Sequence, residues 1–276
     1  MNKPKPFVKW VGGKRQIIDK IKEYAPKEYN CYYEPFVGGG AVLFELAPKN
    51  AVINDFNEEL INVYKVITNE EKYKKMMKIL KLYEKKNSEE FYYYIRNKDR
   101  KKASISRMKD YTRAARTLYL NKACFNGLYR VNSNNEFNVP YNKSAKIKTY
   151  DENNLKMVHE YLINNDIKIL TGDFEEAVKE ARKGDFVYFD PPYDTLNDSF
   201  TSYTKNGFDK NEQLRLFETY KMLDKKGVNV MLSNHNTPFI NDLYKDYKII
   251  VVNAKRSVNS NGKKRGNVEE TIIINY

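Results

Sequence analysis

Short apolar runs alternate with amphipathic stretches along the chain, the rhythm of an α/β fold with a mainly parallel sheet. The runs Cys31–Glu34, Ala51–Asp55, Lys168–Thr171, Phe186–Asp190, Val228–Ser233 and Lys248–Val252 predict strands, and Glu270–Asn275 predicts a last strand closing the sheet. Helices are predicted after most of them, over Ala41–Leu46, Glu58–Thr68, Glu175–Ala181, Lys210–Asp224 and Pro238–Tyr244. From about Glu70 to Tyr150 the rhythm breaks into Lys- and Tyr-rich helices, a helix over Tyr111–Ala123, and a polar, turn-rich stretch Asn126–Tyr150. So long an interruption between two strands predicts an inserted smaller domain at 70–149, with 1–69 and 150–276 forming the core. The stretch Pro191–Phe208, after a strand's carboxyl end, is long for a loop and so a candidate for function, a plain surface loop being the alternative.

Composition adds a partner class. The 276 residues carry 49 Lys and Arg against 36 Asp and Glu, a formal net charge of +13. Such an excess suits a polyanion, whose neutralised phosphates release counterions. A coding bias toward Lys, Asn, Tyr and Ile would produce the same charge, so charge alone decides nothing. With 41% hydrophobic residues the chain can bury a sizeable core. Cys31 and Cys124 have no metal-like spacing and the histidines are two, which argues against a zinc site or a disulfide framework and fits a reducing cytosol. The basic start Met1–Trp10 lacks the apolar run of a signal peptide, and no stretch is apolar enough to span a bilayer. The expectation is a cytoplasmic protein without membrane association.

The strongest chemical signal is Asp190-Pro191-Pro192-Tyr193, directly after the apolar run Phe186–Phe189. Ligands of open α/β sheets bind at the carboxyl ends of strands. An amide or aromatic NH2 group is a poor nucleophile because its lone pair is delocalised into the carbonyl or the ring. Two acceptors, the Asp190 carboxylate and the Pro191 carbonyl, can hydrogen-bond its N–H groups and draw the nitrogen toward tetrahedral geometry. The two prolines stiffen the turn and remove backbone donors. Tyr193 offers a flat face for a stacked base, and that face would also favour a nearby sulfonium methyl. A plain Pro-Pro turn closing a strand is the alternative.

A second signal is Glu34-Pro35-Phe36-Val37-Gly38-Gly39-Gly40, between a predicted strand and helix, where glycines allow the backbone to approach a ligand. It is not a dinucleotide fingerprint, since Leu43 stands where the third glycine belongs, and Gly12-Gly13-Lys14 is not a phosphate loop, since Arg15 replaces the Ser or Thr. Asp55, ending the next strand, can hold ribose hydroxyls, although a helix N-cap is its simpler reading.

Taken in order, Phe7-Val8-Lys9-Trp10-Val11-Gly12-Gly13-Lys14, the Glu34–Gly40 run, Ile53-Asn54-Asp55-Phe56-Asn57, Gly172-Asp173-Phe174 and Asp190–Tyr193 resemble the motifs of Dam and DpnII-type DNA adenine methyltransferases. The resemblance runs nearly end to end and takes in Asn126–Asn132, Glu136–Pro140, Ser233-Asn234-His235 and Arg256–Glu270. It implies a Rossmann-like methyltransferase core with an inserted, mostly helical DNA-recognition domain bearing a hairpin. It implies S-adenosylmethionine as methyl donor, no metal, and adenine N6 in double-stranded DNA as acceptor, with GATC as the target.

By the same resemblance, Trp10 and Lys14 hold the cofactor's methionine end, the loop from Phe36 through Gly38 to Gly40 wraps it, and Asp55 takes the ribose. Asp173 accepts from the cofactor's adenine amine while Phe174 packs on that ring. Asp190, which also borders the cofactor, Pro191 and Tyr193 bind the target adenine, flipped out of the duplex. The hairpin would supply Asn126, Leu128, Arg130 and Pro140, with Arg130 reading a guanine through O6 and N7, Lys9 contacting the other guanine, and Phe125 wedging into the base stack. The transfer is expected to be a direct displacement without a covalent enzyme intermediate.

Other readings stay open at this level. The same acceptor turn serves enzymes acting on RNA adenine or a protein glutamine amide, and a catalytically dead DNA-binding regulator would share the fold. His235 receives no role, and the run Tyr92-Tyr93-Tyr94 is either a solvated helix or a DNA-facing surface. The tail Ser257–Gly266, with Lys263, Lys264 and Arg265, reads as a basic loop tracking phosphates. Restriction–modification, with a cognate endonuclease acting on the same site but no stable complex implied, and regulatory methylation are equally compatible with the sequence.

Overall fold

The computed structural model describes residues 3–100, 102–144, 146–194, 208–255 and 267–276. The basic tail at 257–266 and most of the loop after Tyr193 lie outside the described residues. The strands are β1 (Tyr32–Glu34), β2 (Asn50–Asp55), β3 (Asp166–Thr171), β4 (Phe186–Phe189), β5 (Asn229–His235), β6 (Lys248–Lys255) and β7 (Asn267–Ile274). They form one sheet in the order β3-β2-β1-β4-β5-β7-β6, parallel except for β7, which runs antiparallel to both its neighbours. All seven predicted strands are present.

Eleven α-helices are found among the described residues: α1 (Ile18–Tyr24), α2 (Ala41–Leu46), α3 (Glu58–Ile67), α4 (Glu70–Lys85), α5 (Glu89–Arg96), α6 (Lys102–Arg107), α7 (Asp110–Ala123), α8 (Glu152–Ile163), α9 (Phe174–Ala177), α10 (Lys210–Lys225) and α11 (Pro238–Leu243). Their starts are written locally. Asn57, Asn69, Ser88, Asp151, Asp209 and Thr237 each accept a hydrogen bond from the backbone N–H three residues on, satisfying a donor the helix leaves unpaired. The pattern missed α1 and α8 and ran α9 too long. Val178 and Lys179 donate to carbonyls three residues back, at Glu175 and Glu176, so the chain tightens there instead of continuing as α-helix.

The inner strands of the sheet are buried on both faces. On β4, Phe186 and Tyr188 point into one apolar layer and Val187 and Phe189 into the other, as the period of two along a strand requires. One layer is closed by α9, α10 and α11, the other by α1, α2, α3 and α8. The inserted segment joins the second layer: α7 packs on α3 and α4, and Met76, Leu80, Tyr92 and Tyr119 are continuous with the core around Tyr64. Its polar end is a hairpin in which Val131 bridges Phe137 and Asn138 N–H donates to Arg130 C=O at 3.0 Å. α5 resolves the tyrosine run: Tyr92 is fully buried with its hydroxyl donating to Val139 C=O at 2.8 Å, while Tyr94 is 58% exposed.

Candidate active site

The chain steps from β1 to β2 and β3 on one side of the sheet and then crosses to β4 on the other side of β1, so the strand order reverses between β1 and β4, the place where open α/β sheets take ligands at the strands' carboxyl ends. The loop Pro35–Gly40 leaves β1 there, and Asp190 follows β4. Asn54 ties the loops together. Its side-chain amide donates to Pro35 C=O at 3.0 Å and Gly172 C=O at 2.9 Å, and its backbone carbonyl accepts from Val37 N–H at 2.8 Å.

The glycines have separate reasons. Gly38 has φ +49°, and a Cβ there would sit 2.9 Å from Trp10 Cδ1, so Trp10 lies directly on the loop. Gly40 has φ +75°, and its Cβ would meet Phe44 Cε2 and Tyr64 Oη at 2.7 Å each, so core packing also demands glycine there. The Asp55 carboxylate accepts from Gly38 N–H at 3.0 Å and Asn57 N–H at 2.9 Å. Burial pushes its pKa up to about 6 against those two hydrogen bonds.

Lys14 is almost fully buried, 4% exposed, and its ammonium lies 2.6 Å from Asp190 Oδ1. The same ammonium donates to Gly12 C=O at 2.7 Å and stands 4.5 Å over the Tyr193 ring. Burial raises Asp190 to about 6; Lys14 opposes that rise and the nearby Glu270 carboxylate adds to it. The turn is clamped from below by a buried amide pair: Gln213 donates to Pro192 C=O at 2.9 Å, and Asn234 donates to Gln213 Oε1 at 3.1 Å. Asn234 Oδ1 in turn accepts from Asp194 N–H at 2.9 Å. His235 contacts Asp194 C=O through Nδ1 at 2.6 Å and meets Tyr193 edge-on at 4.8 Å.

Beside this lies an aromatic wall, with Phe36 5.5 Å from Phe174 and 5.8 Å from Phe208. Asp173 caps α9 through Glu175 N–H at 2.9 Å and pairs with Arg215, whose guanidinium stacks on Phe174 at 4.5 Å. Lys9 reaches the other side. Its backbone is paired twice with the buried Asn121 amide at 2.8 Å, and that amide also donates to Gly127 C=O at 3.2 Å. Trp10 packs on Tyr129 at 5.1 Å. The segment bearing Trp10 and Lys14 thus docks on the hairpin bearing Asn126, Leu128 and Arg130. Asn126 takes φ +55° at the hairpin's root, Phe125 is 52% exposed, and its N–H donates to Pro140 C=O at 2.8 Å. Arg130 is exposed and donates to Asn138 Oδ1 at 2.7 Å.

Residues 10–258 match the family described as D12 class N6 adenine-specific DNA methyltransferase. The chain belongs to the D12 class of N6 adenine-specific DNA methyltransferases. It is 48% identical to the Type II methyltransferase M1.LlaDCHI of Lactococcus lactis subsp. cremoris, over 99% of this chain and 95% of that protein. It is 46% identical to the Type II methyltransferase M.MjaIII of Methanocaldococcus jannaschii, over 99% of each. The DNA adenine methylase of Escherichia coli strain K12 is 33% identical over 99% of this chain and 96% of that protein. Membership makes the chain a methyltransferase of DNA adenine with S-adenosylmethionine as the implied methyl donor. No helix among the described residues is long and apolar enough to cross a membrane.

The crevice of this methyltransferase fits that donor. It offers a buried ammonium at Lys14 for a carboxylate, a carboxylate at Asp55 for a diol, aromatic rings at Phe36 and Phe174 for a purine, and a glycine at Gly38 where a side chain would strike Trp10. Sequence reasoning assigned no role to Gln213, Asn234, Asn54, Asn121, Arg215 or Glu270. Asn54, Asn234 and Glu270 lie within stretches that carry the resemblance, but each acts through a partner distant in the chain, so the stretches alone gave them no role.

Proposed function

We propose that this methyltransferase transfers a methyl group from S-adenosylmethionine to N6 of adenine at GATC in double-stranded DNA, on a base flipped out of the helix. The observation that carries the reading is the Asp190 carboxylate beside the Pro191-Pro192 turn and the Tyr193 ring, in the crevice between β1 and β4. Bound there, S-adenosylmethionine supplies an electrophilic methyl on sulfur. Lys14, Trp10, Phe36, Gly38, Gly40, Asp55, Asp173 and Phe174 would hold it.

The chain's own work is positioning and electrostatics. Asp190, ionised, and the Pro191 carbonyl accept from the two N6 hydrogens, while Tyr193 stacks on the base. Gln213 takes the Pro192 carbonyl and so orients the turn. Lys14 keeps Asp190 ionised in a buried setting. Residues 70–149 act as the recognition segment: Arg130 reads guanine from the exposed hairpin, Lys9 contacts the second guanine, and Phe125 enters the gap left by the flipped base. Asn126, Leu128 and Pro140 shape that hairpin. A cytoplasmic site of action is consistent with a DNA substrate.

The test is methylation of a plasmid, followed by digestion with GATC enzymes of opposite methyl sensitivity. Protection from the blocked enzyme together with new cutting by the methyl-requiring one supports the target. Methyl incorporation without change in either digest refutes GATC.

A further inference from the structure

Tyr193 is held at its far end by a residue seventy-odd positions downstream in the chain: its hydroxyl donates to Glu270 Oε2 at 2.9 Å. Glu270 lies on β7 directly opposite His235 of β5 in the antiparallel register. His235 is also the residue that meets the Tyr193 ring edge-on, at 4.8 Å. Two groups on one strand pair therefore contact the ring, one at its hydroxyl and one through an edge-to-face contact, and Lys14 covers it from 4.5 Å.

The choice of a carboxylate is informative. An ionised carboxylate only accepts, so the phenol must donate to it, which fixes the hydroxyl direction. Such charge-assisted bonds are stronger than neutral ones. The charge also comes at a cost, because Glu270 opposes ionisation of Asp190. The Tyr193 hydroxyl is the group that this carboxylate contacts beside Asp190.

We infer that Glu270 is a positioning residue of the target-base pocket, anchoring the Tyr193 ring at the angle against which the flipped adenine stacks. The inference rests on the reading of Tyr193 as the stacking ring. Without the anchor the ring turns about its side-chain bonds, and the base is held less often in line with Asp190. Turnover should suffer, and cofactor binding should not.

The experiment is a double-mutant cycle of Glu270→Ala and Tyr193→Phe, with kcat and KM measured on duplex DNA and on S-adenosylmethionine. Each single change should lower kcat roughly ten-fold, the scale of a lost hydrogen bond to a charged group, with KM for S-adenosylmethionine unchanged. The double variant should lose no more than either single one. Glu270→Gln, whose amide oxygen still accepts from the phenol, should retain kcat within about three-fold. Normal kcat in Glu270→Ala, or losses that multiply in the double variant, overturns the inference. If Glu270→Ala does not fold, Tyr193→Phe decides: wild-type kcat overturns the anchor. Tyr193→Ala separates the two levels. If it turns over normally, the stacking reading itself fails; if it is crippled while Tyr193→Phe and Glu270→Ala are normal, only the anchor fails.

Discussion

Replacing Lys14 by methionine should move the acid limb of the turnover profile to higher pH. Asp190 is the stronger, acceptor-only partner for N6 when ionised, and burial already raises its pKa to about 6. The group that opposes the rise is the Lys14 ammonium at 2.6 Å; Glu270 acts the other way, and Glu34, buried and held by the Tyr32 hydroxyl at 2.9 Å, lies behind it. At an effective dielectric of about 20, unit charges about 4 Å apart interact by ~4 kcal/mol. Asp190 keeps 19% of its side-chain exposure, so water recovers part of that. A net ~2 kcal/mol corresponds to a rise of roughly 1.5 pKa units. The ionised fraction at pH 7 then falls from about nine-tenths to about one-quarter, so kcat at pH 7 drops roughly four-fold and recovers near pH 9. The assay is kcat against pH with both substrates saturating, because Lys14 is also assigned to the cofactor and its KM should rise. An acid limb that stays in place, or moves down, refutes the electrostatic role of Lys14.

Three further outcomes follow from the same geometry. Gly40→Ala places a Cβ 2.7 Å from Phe44 and Tyr64 at φ +75°, and should cost about 2–3 kcal/mol in denaturant unfolding; a loss below about 0.5 kcal/mol would contradict the packing. Asp55 has its folded pKa raised from 3.8 to about 6, so the native state binds its proton more tightly and the associated stability, present below pH 3.8, is lost as pH rises through 6. Asp55→Asn should therefore gain stability relative to the parent between pH 4 and 7, by about 1–2 kcal/mol after the loss of one backbone hydrogen bond, and bind S-adenosylmethionine more weakly; a stability difference independent of pH in thermal melts would speak against it. Arg130→Ala should relax discrimination at one guanine by about 10- to 100-fold in methylation of variant sites, whereas a uniform loss on all sites would mark a phosphate contact.

The strands were legible because apolar runs such as Phe186–Phe189 are buried on both faces and have no other stable placement. Helices α1 and α8 were not. α1 is short and buries Ile21, and α8 starts at the Asp151 cap straight after a turn-rich segment whose polarity masked its apolar face of Leu155, Val158 and Leu162. At the site, residues from contiguous motifs are brought together in pairs: Trp10 and Asp55 against the Gly38 loop, and Lys14 against Asp190 and Tyr193. What could not be read was which partners hold them. That Lys14 faces Asp190 depends on how the N-terminal segment folds over β4, and that Gln213 meets Pro192 depends on α10 packing under the turn. The predicted cofactor contact of Asp173 also gained a competitor in Arg215, which an isolated Gly172-Asp173-Phe174 motif gives no means of seeing.

The most direct test of the central claim is nucleoside analysis of duplex DNA after incubation with the purified protein and S-adenosylmethionine, with Asp190→Ala as the comparison. N6-methyladenine is expected with the parent protein and none with Asp190→Ala, although that variant still retards the duplex in a binding assay. Methylated cytosine, N6-methyladenine at parental levels with Asp190→Ala, or methyl groups found in RNA and not in DNA would contradict it.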